Sequence, residues 1–320
     1  MRVLFMGTPD FAVPTLRTLI ESGHEVIGVV TQPDKPKGRG GKMQCSPIKE
    51  VAVEAGLPVY QPAKVRDEAF LFELRSLYPD VIVVVAFGQI LSKEILEIPE
   101  YGCLNVHASL LPKLRGAAPI QWSVIQGDRE SGVTIQQMDE GLDTGDILMT
   151  QTCVLDEKET GGSLFDRLSV LGGPMILKVL EDAEAGRLNP IPQNEEEHTY
   201  AKKLTKGTGK MDFTRPAAEL ERLIRGLNPW PSAYTFLHRK MLKVWEAEVV
   251  PGEIVSGVQS DGQPGTVLAV EKDSFTVQTG EGALKFLSVQ LEGKKRMDAA
   301  AFLRGYTVEV GDVLGKEAGE

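Results

Sequence analysis

Asn105, His107 and Ser109 lie two residues apart in the run Leu104–Ser109. Alternate side chains of an extended strand share a face, so the spacing predicts an amide, an imidazole and a hydroxyl on one side. The amide can donate to an oxygen that gains charge, and imidazole is the side-chain type that changes charge near neutral pH. Pro112 and the Arg115-Gly116 pair break the strand, and Ala117–Gln126 is predicted as a helix. A carboxylate follows, where Gly141 and Gly145 bracket Asp143 in a tight loop. A carboxylate on such a loop can reach an imidazole at a strand end, orient it and support its charged form. Taken alone, Asn-x-His-x-Ser is no site, because a lone histidine is more often structural. The loop carboxylate gives the pattern its meaning.

The elements that must position these groups read as an α/β unit. Arg2–Met6 is a short apolar strand, Phe11–Glu21 a helix and His24–Thr31 a second strand, the β-α-β start of a parallel sheet. The first turn, Gly-Thr-Pro-Asp-Phe, lacks G-x-G-x-x-G, and no acidic residue ends the second strand, which argues against a nicotinamide dinucleotide. Helices are predicted at Ser46–Gly56 and Glu68–Tyr78. Val81–Phe87, continuous and β-branched, reads as a central strand buried on both faces. Strands at Gly102–Ser109, Val133–Met138 and Ile147–Val154 complete a sheet of about seven, and Thr160–Ala185 reads as a long helix with a break near Gly172-Gly173-Pro174.

Around Leu188–Lys210 prolines, an acidic triplet, glycines and lysines mark a linker, which divides the chain into an expected catalytic domain (1–189), linker (190–209) and C-terminal domain (210–320). After a helix at Ala217–Gly226, five or so short strands with Gly- and Asp-rich turns suggest a small OB-like β-barrel. The fold class expected is therefore α/β, a Rossmann-like, mostly parallel sheet followed by a smaller OB-like barrel. Trp230 and Trp245 are expected to pack in the core or between domains.

At 320 residues the chain can bury a sizeable core, and 42% hydrophobic with 25% charged residues is ordinary for a soluble protein. A net charge of −10 argues against simple coating of nucleic acid. Residues 206–320 are nearly neutral, with 15 Lys+Arg against 16 Asp+Glu, so a polyanion must be met by local clusters. One is Gln32–Gln44, where Lys35, Lys37, Arg39 and Lys42 stand among three glycines and two prolines, against the single Asp34. It is either a solvated loop or a mobile basic finger beside the sheet's carboxyl edge. Three cysteines without a CxxC pair, no targeting segment and no apolar run longer than Val81–Phe87 lead us to expect a reduced, cytoplasmic chain without membrane attachment. Four histidines in no ligand spacing predict no metal.

NVHASLLPKLRGAAPI and GLDTGDI, separated by the predicted strand Val133–Met138, closely resemble the folate-dependent formyltransferases, Leu-Leu-Pro after His-x-Ser being the specific part. Leu227–Pro231, Lys243–Trp245, Pro264–Val267 and the basic Gln32–Gln44 loop resemble the branch of that family that acts on aminoacylated initiator tRNA. That resemblance implies formyl transfer from 10-formyltetrahydrofolate, as cosubstrate and without metal, to the α-amino group of methionine on initiator Met-tRNA. It carries over Asn105, His107 and Asp143 as catalytic residues. Ser109, Leu110, Leu111 and Pro112, with Phe87, Gly88 and Ile90, are carried over as folate contacts. Arg39, Lys35, Lys37, Lys42, Lys206 and Lys210 are expected to meet tRNA, with Arg239, Lys240, Lys243 and Lys294–Arg296 as further candidates for a phosphate track. The expected state is a monomer.

The residue types suit the chemistry. Attack of a neutral amine on a formyl carbon builds negative charge on oxygen, which donors already in place, Asn105 and His107, would stabilise. Two other readings stay open: a formyltransferase acting on a sugar-nucleotide amine, and a catalytically silent RNA-binding protein. Formylation of Met-tRNA set against a UDP-amino sugar separates the first, and any turnover with 10-formyltetrahydrofolate ends the second.

Overall fold

A computed structural model of the protein describes residues 1–37, 42–250 and 263–316. The chain forms two compact units, one of 1–119, 130–154 and 165–201, the other of 120–129, 155–164 and 202–320.

The first unit is built on a seven-stranded mixed sheet. Its strands are β1 (Arg2–Gly7), β2 (Glu25–Val30), β3 (Val59–Tyr60), β4 (Val81–Val85), β5 (Cys103–His107), β6 (Glu130–Gln137) and β7 (Ile147–Val154). They lie in the order β7-β6-β5-β4-β1-β2-β3. From β3 to β5 all neighbours run parallel, while β6 is antiparallel to β5 and β7 to β6. β4 is buried along its whole length, as its unbroken Val/Ile run requires between two helical layers.

β5 carries the site, and two packing relations hold it. In register with β6, Asn105 stands opposite Gln136 and His107 opposite Thr134. Val106, pointing to the other face, is pressed by the helix Gly172–Glu184: a Cβ on Gly172 would lie 2.7 Å from Val106 Cγ1 and 2.8 Å from Thr15 Oγ1. Glycine there lets helix and strand approach closely. The helix predicted over Thr160–Ala185 is two helices, Gly161–Ser169 and Gly172–Glu184, the second starting at the glycine pair.

β5 ends at His107, two residues short of the predicted strand. The chain bends at Ala108-Ser109, and the Ser109 hydroxyl donates to Lys113 O at 2.7 Å inside the turn. Ser109 therefore does not share the strand face with Asn105 and His107. The expected mobile loop Gln32–Gln44 contains a short antiparallel hairpin in which Lys35 faces Gln44 and Lys37 faces Lys42. Its root is anchored, because Asp34 accepts from Lys49 Nζ and from Gln61 Nε2, each at 2.7 Å. Its tip, Gly38–Gly41 with Arg39, lies outside the described residues.

The second unit holds an antiparallel sheet of β8 (Ala233–Leu237), β9 (Lys240–Val250), β10 (Val267–Val270), β11 (Phe275–Gln278) and β12 (Ala283–Leu291), ordered β8-β9-β12-β11-β10. Its two end strands do not pair with each other. The segment Gly311–Gly315 runs along β10, with Val267 donating to Asp312 O, and at its end Gly315 donates to Phe236 O of β8. Phe275, Phe286 and Phe302 are fully buried and form its aromatic core. Trp230 is 58% exposed and so is no core residue. Trp245 is half-buried, its indole donating to Gln290 Oε1 at 3.2 Å beneath the Arg296 guanidinium. Among the described residues no helix is long and apolar enough to cross a membrane.

Candidate active site

Three of the residues singled out by type meet at one point of the first unit. Asn105 and His107 project from the same face of β5, and Asp143 enters from the loop between β6 and β7. Asn105 Nδ2 donates to Asp143 Oδ1 at 3.4 Å, and His107 Nδ1 lies 3.7 Å from that oxygen, an ion-pair distance longer than a hydrogen bond. Both strand residues are buried, and the Asp143 side chain is 13% exposed.

A carboxylate so poorly hydrated needs donors. Two came with no sequence signal: Gln136 Nε2 donates to Oδ1 at 3.0 Å, and the Gly116 backbone amide donates to Oδ2 at 2.8 Å. Gln136 reaches Asp143 because the β5–β6 register sets it beside Asn105. Asp143 has φ +55°, in the left-handed region that residues with a Cβ seldom occupy. That backbone turns the carboxylate back toward the strands.

His107 Nε2 lies 3.0 Å from Leu114 O. A carbonyl can only accept, so Nε2 carries the proton and Nδ1 faces the site. In the charged imidazole both ring N–H groups then have an acceptor in view, Leu114 O and Asp143. The turn Ser109–Leu114 thus fixes the orientation of the ring it holds. It is itself pinned by Thr134 Oγ1, which donates to Ser109 O and accepts from Leu111 N.

The expected folate contacts fall into two groups. Ser109 and Leu111 are buried, whereas Leu110 and Pro112 are partly accessible. In the loop after β4, Phe87 is buried and Ile90 is 81% exposed. Gly88, at φ +83°, turns that loop. Lys93, at the start of the helix that follows, lies 3.8 Å from Glu140 at the surface, and Leu142 on the Asp143 loop is 57% exposed. The Phe87 carbonyl accepts from Thr8 Oγ1 and Gln32 Nε2, which fixes the loop backbone.

Of the residues expected to meet tRNA, Lys35 is exposed on the hairpin of the first unit, where Lys37 and Lys42 contribute strand positions. Arg39 lies outside the described residues. Lys206 and Lys210 are exposed in the second unit at a short helical turn capped reciprocally by Thr205 and Thr208. Lys243 Nζ and the Arg296 guanidinium lie 5.8 and 5.0 Å from the centre of the Trp245 ring. Among the described residues no group of three or more His, Cys, Asp or Glu is placed to hold a metal ion.

This sheet with its amide, imidazole and carboxylate is that of a formyltransferase: the family profile described as formyl transferase matches residues 1–180, and that of the formyl transferase C-terminal domain matches 203–307. An N-formyltransferase from Helicobacter canadensis, solved with folinic acid and dTDP-3-aminofucose, shares the fold at TM-score 0.66 and 17% identity, over 93% of this chain and 100% of that one. HypX from Aquifex aeolicus, solved with tetrahydrofolic acid, shares it at TM-score 0.60 and 20% identity, over 95% of this chain and 47% of that one. Sequence is more particular. A methionyl-tRNA formyltransferase of Lachnospira eligens is 59% identical over 317 residues, 99% of this chain and 100% of the relative. The chain belongs to the methionyl-tRNA formyltransferase family.

Proposed function

We propose that the protein transfers the formyl group of 10-formyltetrahydrofolate to the α-amino group of methionine on initiator tRNA, producing N-formylmethionyl-tRNA for translation initiation. The observation that carries this reading is the meeting of Asn105, His107 and Asp143 in one buried cluster. The folate supplies an activated formyl carbon on N10. Ile90 and Leu142, exposed on the loops after β4 and β6, are apolar surfaces on which its ring system would rest. The Ser109–Pro112 turn, which the resemblance assigns to folate contact, also fixes the strand end beside the ring.

The chain's own groups account for the proton and the charge. As the amine nitrogen bonds to the formyl carbon, the formyl oxygen gains negative charge. Asn105 Nδ2 and the protonated Nδ1 of His107 donate to that oxygen. Asp143 accepts the proton the amine must lose, directly or through a water, and the proton passes to N10 as the carbon–N10 bond breaks. Asp143 begins and ends as a carboxylate. Asn105, Gln136 and Gly116 each donate to it and hold it in place.

The second unit is read as an OB-like module that positions tRNA. In support, its sheet is continued by Gly311–Gly315 to the edge of β8. Lys206 and Lys210 stand exposed in that unit, and Lys35 on the hairpin of the first. The test is formylation by the full chain of Met-tRNA, free methionine and a dTDP-amino sugar, each with 10-formyltetrahydrofolate. Turnover confined to Met-tRNA is expected. Equal or faster turnover of the amino sugar would overturn the acceptor assignment.

A further inference from the structure

The stretch Asn189–Lys210 has the composition of a linker, yet its first half is bound into the catalytic cluster. Gln193 Nε2 donates to Asp143 O at 2.8 Å and to Gly145 O at 2.7 Å. Its Oε1 accepts from Arg115 Nε at 3.0 Å. The amide's orientation is determined by chemistry, because a guanidinium only donates and a carbonyl only accepts. Arg115 is 1% exposed and grips Glu195 with both terminal nitrogens, Nη1 to Oε2 at 3.1 Å and Nη2 to Oε1 at 2.7 Å. This is the bidentate pairing that only arginine can make, and it holds Arg115 Nε pointed at Gln193.

The same stretch holds His107 from the other side. Thr199 Oγ1 accepts from Leu114 N and Thr199 O accepts from Arg115 N, each at 2.8 Å, and Tyr200–Ala201 pairs in parallel with Arg115–Gly116. Leu114 O receives His107 Nε2, and Gly116 N donates to Asp143 Oδ2. Asp143 occupies a left-handed backbone conformation that persists only where its surroundings impose it. The two carbonyls captured by Gln193 belong to Asp143 itself and to Gly145, so they fix the backbone at that strained position and just after it.

We propose that Gln193 is a positioning residue for formyl transfer: its side-chain amide, oriented by Arg115 and Glu195, sets the Asp143 loop so that the carboxylate meets Asn105 and His107. The proposal rests on the reading of Asp143 as catalytic. Gln193→Glu is the informative variant, since it has the same shape and still accepts from Arg115 but cannot donate to the loop carbonyls.

The test is steady-state kinetics on the full chain with Met-tRNA and 10-formyltetrahydrofolate, for Gln193→Glu, Asp143→Asn, the two combined, and Glu195→Gln. A displaced catalytic group and a lost supporting hydrogen bond each cost about ten- to a hundredfold. Gln193→Glu should therefore lose about that much in kcat while both KM values stay within about twofold. Combined with Asp143→Asn it should add no further loss, because both act through one carboxylate. Glu195→Gln, on an exposed carboxylate, should show a smaller fall in kcat at unchanged KM. Wild-type kcat in Gln193→Glu, or losses that multiply in the double variant, would overturn the proposal. Should Gln193→Glu fail to fold, Glu195→Gln decides, and wild-type kcat there overturns it. Wild-type kcat in Asp143→Asn would instead sink the catalytic reading of Asp143, a separate and distinguishable result.

Discussion

Asn105 and Gln136 face each other across the antiparallel β5–β6 pair, and both donate to the same oxygen, Oδ1 of Asp143. Two neighbouring strands thus present a pair of amides to one carboxylate. In the mechanism we propose, Asn105 is shared between holding that carboxylate and meeting the reacting oxygen. Gln136 only holds.

That division predicts different kinetics for the two amides. Asn105→Ala removes a donor to the developing charge and should lower kcat on the order of 10²–10³-fold. Combining His107→Ala with Asp143→Ala should cost far less than the product of the single losses, if they act as a unit. Single-turnover rates across this set are the measurement, and multiplying losses would mean that the two residues act independently.

Gln136→Leu should separate activity from stability. A hydrogen bond to a charged group contributes roughly 1.5–3 kcal/mol, so kcat should fall about 10- to 150-fold. Gln136 Oε1 is buried without a partner, so an apolar side chain of similar size removes an unsatisfied atom. The Asp143 carboxylate loses a donor at the same time, which outweighs that gain, so the unfolding midpoint should fall modestly. A large drop in Tm would assign Gln136 to the fold instead.

Gly172→Ala should destabilise the first unit without touching the site chemistry directly. The added methyl meets Val106 Cγ1 at 2.7 Å and Thr15 Oγ1 at 2.8 Å, and forced overpacking costs about 1–3 kcal/mol. Gly23→Ala is the control, since nothing lies within 4 Å of its Cβ position, and it should change stability by less than about 0.5 kcal/mol. Urea unfolding of both variants checks the contrast.

Burial in the core pushes the Cys103 thiol up to about 12, from an ordinary value of 9.0. An acid whose folded-state pKa is raised keeps its proton when the unfolded chain has released it. The unfolded state then binds fewer protons, so stability is full below pH 9.0 and falls as pH rises from there toward 12. Cys103→Ala should flatten that alkaline loss. At pH 8 a thiol reagent should modify the partly exposed Cys45 and Cys153 and reach Cys103 only after denaturant is added.

Arg39 remains the best candidate in the basic segment for tRNA contact, because a guanidinium can clasp a phosphate or stack on an unpaired base. Arg39→Ala should reduce kcat/KM for Met-tRNA about 10- to 150-fold, the equivalent of one charge-assisted hydrogen bond, with Arg39→Lys recovering part. Folate affinity, measured alongside by fluorescence titration, should not move. Equal loss of both would tie the segment to the folate pocket.

What the sequence determined by itself is local. Two-residue periodicity placed Asn105 and His107 on one strand face, and glycines around Asp143 announced a tight loop, because strand pleat and backbone freedom are properties of a few consecutive residues. The β-branched run at Val81–Val85 declared a central strand for the same reason. Composition also exposed the change of character after residue 188, although its prolines and charges concealed how that stretch is bound. Tertiary structure decided everything that depends on approach between distant segments. Ser109 left the strand face because a turn captured its hydroxyl, and Gln136 joined the site through register alone. Gln193 joined it by reaching carbonyls some 50 residues away in the chain. A hydrogen bond needs its donor and acceptor within about 3 Å, and no periodicity encodes that distance between remote segments. Only the packing of β5 between β4, β6 and the Gly172 helix sets it.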